Sequence, residues 1–245
     1  MSWIYLSPHL DDVVLSCGGL LWEQAQAGES ASIWTICAGD APPGSFSPFA
    51  ESLHQRWQTA DKAPATRRQE DLAACAIVGA ECRHFSTPDC IYRRGEDGEL
   101  LYPLEDDILG PFHYEDRMLI DRLADEITRF LPTGARLVSP LAIGNHLDHR
   151  LVRDAAEKTD HPLLYYADYP YVAENAGPLE ELIQEGWQPQ VYPVSAAGLG
   201  AWIQAVGAYT TQISTFWPDR EALAEAITAY SRECWGARLW FALLK

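Results

Sequence analysis

The stretch Trp3–Ala38, WIYLSPHLDDVVLSCGGLLWEQAQAGESASIWTICA, decides the fold. Trp3 to Ser7 is a short run of strand formers that stops at Pro8 and a cluster of His and Asp. From Asp12 to Ala27 the apolar residues Val14, Leu15, Gly18, Leu21, Trp22 and Ala25 recur at spacings of three and four, and Gly28 supplies a stop. That is the period of an amphipathic helix. Ser32 to Ala38 reads as a second buried strand, and strand, helix and strand together make a right-handed βαβ unit on a parallel sheet.

The same alternation continues outward. Helices are predicted at Thr66 to Val78, capped by Thr66 and ended by Gly79, at Tyr114 to Phe130 and at His146 to Lys158. Short strands are predicted at Arg83–Phe85, Arg136–Ser139 and Leu163–Ala167. Helix and strand in turn point to an α/β fold, a three-layer α/β/α sandwich with a mostly parallel sheet, as one domain over 1–245. Helices at 198–213 and 219–233 read as a C-terminal helical elaboration of that sheet over about 195–245. Residues 39–64, with a helix around Glu51 to Thr59, and residues 86–110 are turn-rich, and loops this long are commonly functional.

Composition narrows the function. The 245 residues carry 18 Lys+Arg against 35 Asp+Glu, a formal charge of −17. Nucleic-acid affinity draws on cationic side chains that displace counterions, so a general phosphate-backbone binder is excluded. The only adjacent basic pairs are Arg67-Arg68 and Arg93-Arg94. No apolar run of about 18 residues is present, so no membrane span is expected. The six cysteines form no CxxC pair, and no cationic-then-apolar leader opens the sequence. A cytoplasmic protein with reduced, packed thiols is expected.

Ligands of parallel α/β sheets bind at the carboxyl ends of strands, and two ionisable clusters fall there. Ser7-Pro8-His9-Leu10-Asp11-Asp12 leaves the first strand, and Gly144-Asn145-His146-Leu147-Asp148-His149 follows the strand at 136–139. Both are expected to face one cleft. His9 and Asp12 are three apart across a strand-to-helix turn, and His146 and His149 share a helix face. His9, Asp12 and His149 would give an open three-ligand site suited to zinc, with Asp11 free as a base. Two His and one carboxylate also suit an iron(II) oxygenase, although the α/β alternation and HxxD spacing disfavour it, and a metal-free binding module is a further alternative.

Pro8-His9-Leu10-Asp11-Asp12 with Cys17-Gly18-Gly19, then Arg67-Arg68-Gln69-Glu70 with Ala74 and Gly79, then His146-Leu147-Asp148-His149, resembles the LmbE-like (PIG-L) de-N-acetylase family over roughly residues 3–170. Tyr165–Tyr171 and Ala208–Gln212 are also similar to family segments. The resemblance implies a Rossmann-like fold, a zinc ion and removal of an N-acetyl group from an N-acetylglucosamine-type amino sugar, in a family whose members often form trimers or hexamers. By position, His9, Asp12 and His149 would ligate zinc, and Asp11 would be the base. His146, oriented by Asp148, would stabilise developing charge or assist the leaving amine, and Arg67 would reach substrate hydroxyls.

Three positions depart from the family pattern: Leu10 stands where it has Pro, Val13 where it has Glu, and Gly144 where some members have a carbonyl-polarising Tyr. Asn145, or a Tyr of 165–171, is the substitute expected for that last role. Among single residues, Trp57 is the expected sugar-stacking aromatic, and Asp40 and Asp168, past other strand ends, are expected at the substrate. His54, His84, His113 and His161 have no partner at ligand spacing and read as structural.

Overall fold

A computed structural model describes residues 2–242. The elements, in chain order, are β1 (Ser2–Ser7), α1 (Asp12–Gln26), β2 (Ser30–Thr35), α2 (Pro48–Trp57), α3 (Ala63–Val78), β3 (Glu81–His84), α4 (Arg117–Phe130), β4 (Arg136–Pro140) and α5 (Leu147–Glu157). There follow β5 (Leu163–Tyr166), α6 (Tyr171–Glu174), α7 (Gly177–Gln184), β6 (Trp187–Tyr192), α8 (Ala196–Val206), α9 (Thr210–Phe216), α10 (Arg220–Cys234) and β7 (Ala237–Ala242). One seven-stranded sheet runs β3-β2-β1-β4-β5-β7-β6. The first five strands in that order are mutually parallel, and β7 is antiparallel to both of its neighbours.

Two hydrophobic clusters flank the sheet. On one face α1, α3, α8 and α10 bury Val14, Leu21, Val78, Trp202 and Ile227; on the other, α4 and α5 bury Leu123, Ile127, Leu151 and Val152. The expected three-layer α/β sandwich is therefore formed. The Gly18-Gly19 pair explains how α8 comes so close to α1. A Cβ on Gly18 would lie 2.4 Å from Cδ1 of Trp202, whose indole Nε1 donates to the Val14 carbonyl at 2.7 Å. Only a residue without a side chain lets that ring lie on the helix.

Several expectations shift. Helix α3 begins at Ala63, with Pro64 in its first turn, so Thr66 lies inside the helix and does not cap it. The helix expected at 198–213 is two, α8 and α9, separated at Gly207–Tyr209. The C-terminal third is also not helical decoration alone, because β6 and β7 extend the sheet. Of the expected elaboration, residues 243–245 lie outside the described ones. No described helix is long and apolar enough to cross a membrane.

The strand order places the site. From β1 the chain moves outward to β2 and β3, then returns to the other side of β1 for β4 and β5. The adjacent strands β1 and β4 thus bound the topological switch point, where the loops leaving their carboxyl ends diverge and open a crevice.

Candidate metal centre

Both ionisable clusters meet in that crevice. His9, Asp11, Asp12, Arg67, Asp89, His146 and Tyr171 line one cleft, with Trp57 and Gln212 farther along its wall. Asp11 is the N-cap residue of α1, yet its side chain makes no capping hydrogen bond. It faces Arg67 instead, with Nη2 3.4 Å from Oδ1. Burial pushes its carboxyl up to about 6 against the pull of Arg67, with the neighbouring Asp12 adding to the rise.

Hydrogen bonds assign the ring nitrogens. His149 Nδ1 lies 2.6 Å from Asp168 Oδ1, so the proton of a neutral ring sits there and the Nε2 lone pair is free. That Nε2 is buried without a hydrogen-bond partner, 3.4 Å from Asp12 Oδ2. His9 Nε2 lies 3.0 Å from Asp148 Oδ2, which leaves Nδ1 directed at Asp12 Oδ2, 3.4 Å away. His146 differs: its Nδ1 accepts the Asp148 backbone N–H at 3.2 Å, capping α5, so a neutral ring carries its proton on Nε2.

Lone pairs of His9 and His149 and one Asp12 oxygen therefore converge, while His146 presents an N–H beside them. An orphaned buried imidazole nitrogen aimed at a carboxylate is the arrangement that a divalent cation completes. Nitrogens of His9, His146 and His149 all lie within 4.8 Å of one another. The field agrees. Burial opposes a charge on His9, but Asp89, Asp12 and Asp148 outweigh it and raise its pKa well above the usual value, so these carboxylates favour a positive charge here, and a bound cation would take the place of the ring's second proton. Burial would raise Asp12, yet His149 and His9 hold it below the ordinary carboxylate range. Burial and the two other imidazoles keep His146 neutral, well below its ordinary pKa.

Other expected residues take different places. Asp148 holds His146 through its backbone N–H alone; its carboxylate makes no hydrogen bond to that ring but holds His9, accepts the Cys90 N–H at 2.9 Å and pairs with Arg93 at 2.5 Å. Asp168 is 1% exposed, accepting from His149 and the Ile143 N–H, and so braces the His149 ring without lining the cleft. Asn145 is exposed and donates to the Leu109 carbonyl, away from the cleft. Asp40 lies on the surface in an ion pair with Arg68, carried there because Gly39 is hydrogen-bonded to Thr87. Trp57 does line the cleft, at the end of α2, under the Arg67 guanidinium at 4.9 Å. Val13 is fully buried in the core, so no carboxylate enters the cleft from that position.

Arg93, which sequence reasoning passed over, and Glu70 and Tyr171, which it quoted only within longer motifs, complete the arrangement. Buried Arg93, seen only as half of a basic pair, bridges Asp148 and Asp116. Glu70 accepts from the Thr210 hydroxyl and from the Thr211 N–H and hydroxyl, which fastens the start of α9 to α3. Tyr171 fills the space above Gly144: a Cβ there would lie 2.5 Å from its Cγ, and the ring meets His149 edge-on at 5.6 Å.

Fold and site together define a doubly wound α/β protein with a candidate metal centre at its switch point. The chain belongs to the PIG-L (GlcNAc-PI de-N-acetylase) family, whose model matches residues 4–159. It is 28% identical to a 2′-N-acetylparomamine deacetylase of Niallia circulans, over 76% of this chain and 72% of that one. It is 32% identical to a 2′-N-acetylparomamine deacetylase of Streptomyces fradiae, over 74% of this chain and 62% of that one. Among solved structures, a teicoplanin deacetylase in its zinc-inhibited form superposes with a TM-score of 0.83 at 30% identity, covering 98% of this chain and 97% of that one.

Proposed function

We propose that the chain is a zinc-dependent N-deacetylase that hydrolyses the N-acetyl group of an amino sugar carried on a larger acceptor. The observation that carries this reading is the orphaned His149 Nε2 facing Asp12, with His9 beside it and an uncapped Asp11 at the same strand end. His9, Asp12 and His149 would hold the ion, two nitrogens and an oxygen with a position left open, as a hydrolytic zinc requires. When bound, zinc acidifies water and polarises a carbonyl. The donor set alone would also suit iron(II), but the family to which the chain belongs favours hydrolysis.

The chain's own groups account for the proton movements. Asp11 takes a proton from the attacking water as its oxygen bonds to the amide carbon, and returns it to nitrogen as the C–N bond breaks, giving acetate and a free amine. The His146 Nε2–H and the Tyr171 hydroxyl border the place where the carbonyl oxygen gathers negative charge. The Tyr171 phenol is held protonated by burial, so it is a donor at neutral pH. Arg67, braced over Trp57, keeps Asp11 oriented, and the apolar wall around Trp57 and Phe49 suits the face of a sugar ring. The relatives that act on N-acetylparomamine and teicoplanin support an amino-sugar unit on an antibiotic-like acceptor.

Metal analysis of untagged protein, with acetate release measured on a panel of N-acetylglucosamine conjugates, tests the reading. Zinc removal by a chelator should abolish release and zinc should restore it. Full activity in metal-free protein would overturn the proposal.

A further inference from the structure

A second cluster of metal-ligating side chains lies between α3 and the edge strand β3, outside the cleft lining. Asp71 and Cys75 are i,i+4 on α3 and share one helix face, while Cys82 and His84 are i,i+2 on β3 and share one strand face. Packing of helix on strand brings the four together. His84 Nε2 lies 2.8 Å from Asp71 Oδ2 and 3.1 Å from Cys82 Sγ. Cys82 Sγ is 3.4 Å from the same oxygen, and Cys75 Sγ is 4.0 Å from Asp71 Oδ1.

We propose that Asp71, Cys75, Cys82 and His84 form a second, structural zinc site that clamps α3 to the edge of the sheet. A tetrahedral zinc with ordinary bond lengths to sulfur, nitrogen and oxygen sets its ligand atoms roughly 3.3–3.8 Å apart. His84, Cys82 and Asp71 Oδ2 already lie 2.8–3.4 Å from one another, and Cys75 approaches the other Asp71 oxygen, within 4.8 Å of both the carboxylate and Cys82, so the Cys75 thiol would swing toward the other three donors to close the site. Two thiolates, an imidazole and a carboxylate are the soft, closed donor set that zinc takes in structural sites. The carboxylate is already oriented from outside: Tyr209 donates to Asp71 Oδ1 at 2.7 Å and Thr35 to Oδ2 at 3.1 Å.

Asp71 and Cys75 are nearly fully buried, whereas Cys82 and His84 are partly exposed and offer the way in. The clamp has a consequence for the first site, since α3 also carries Arg67 and Glu70.

Zinc per chain after exhaustive dialysis, and the absorption spectrum after cobalt(II) substitution, test the site in the full-length protein. Wild type should retain about two equivalents. His149→Ala should lose one and keep the sulfur-to-cobalt charge-transfer band; C75S/C82S should lose the other together with the band. His84→Gln, at the partly exposed edge, should weaken the band while leaving both thiols in place, and serves if the double variant fails to fold. A single equivalent that disappears in His149→Ala would overturn the proposal. So would the absence of a charge-transfer band, or a Cys75–Cys82 disulfide recovered from protein purified under reducing conditions. Each readout is independent of deacetylation, so the outcome does not depend on the function of the first site.

Discussion

Gly144→Ala isolates the role of Tyr171. The φ of Gly144 lies outside the left-handed region, so an alanine there meets no backbone strain. Its Cβ, however, would lie 2.5 Å from Cγ, 2.6 Å from Cδ1 and 3.0 Å from Cδ2 of Tyr171. Carbon atoms pack at about 3.5–4.0 Å, so the ring must recede by roughly 1 Å. A hydrogen bond to a developing oxyanion works at about 2.7–3.1 Å, and the same 1 Å shift forfeits it. Loss of one such donor costs about 10²–10³ in kcat, or roughly 2.7–4 kcal/mol of transition-state stabilisation. Tyr171→Phe removes the hydroxyl with the packing intact and should cost a similar factor. If Tyr171 is the donor, the two changes act through one hydroxyl, so Gly144→Ala/Tyr171→Phe should be no slower than the worse single variant. Steady-state acetate release from an N-acetylated amino sugar supplies the three values of kcat. An unchanged rate in Gly144→Ala, or losses that multiply in the double variant, would refute the assignment.

Asp11→Asn should retain zinc, because the ligands are untouched, while kcat falls by about 10²–10⁴; elemental analysis beside acetate release separates this from metal loss. Asp168→Asn leaves His149 without its anionic partner and should weaken zinc affinity by about 10–100-fold in a chelator competition, which a residue contacting substrate would not do. Arg93→Met strands Asp148 and Asp116 as buried carboxylates without their cation. A loss of about 3–5 kcal/mol is expected, seen as a fall in Tm of roughly 6–20 °C, and a variant that melts with wild type would contradict it. Glu70→Gln has one acceptor oxygen for three donors from Thr210 and Thr211, so α9 should loosen and KM should rise more than kcat falls.

The first βαβ unit was legible in the sequence because period and punctuation agree there: strand formers to Ser7, helical spacing to Gln26, a glycine at the stop. The convergence of His9, Asp12 and His149 was legible for the same reason, since strand ends flanking a switch point face each other whatever the loops do. Strands β6 and β7 were not. β6 contains Pro189 and is largely exposed, which an antiparallel edge tolerates but a strand signal hides. The partners of Asp148, Asp168 and Arg93 were equally hidden, because each pairing spans 19 to 139 residues and follows from packing, not spacing. His84 misled in the opposite sense: alone in the sequence, it gains Cys82 from its own strand and Asp71 from α3.

Those failures fall in a pattern that bears on specificity. The groups assigned to the reaction sit on strand ends and first helical turns, rigid positions that the sheet dictates. The cleft wall that would meet the acceptor comes from α2, α9 and the segments around Ile91 and Ile108; α2 and those segments share a separate small hydrophobic cluster that meets the frame at Ala63 of α3 and Leu147 of α5. Glu70 ties α9 to α3, and Tyr209 reaches Asp71 at the proposed structural zinc. The acceptor-side wall is thus anchored through α3, the same helix that supplies Arg67 to Asp11. A change of acceptor can be accommodated by altering α2 and the irregular segments, but a disturbance of α3 should be felt by binding and chemistry together.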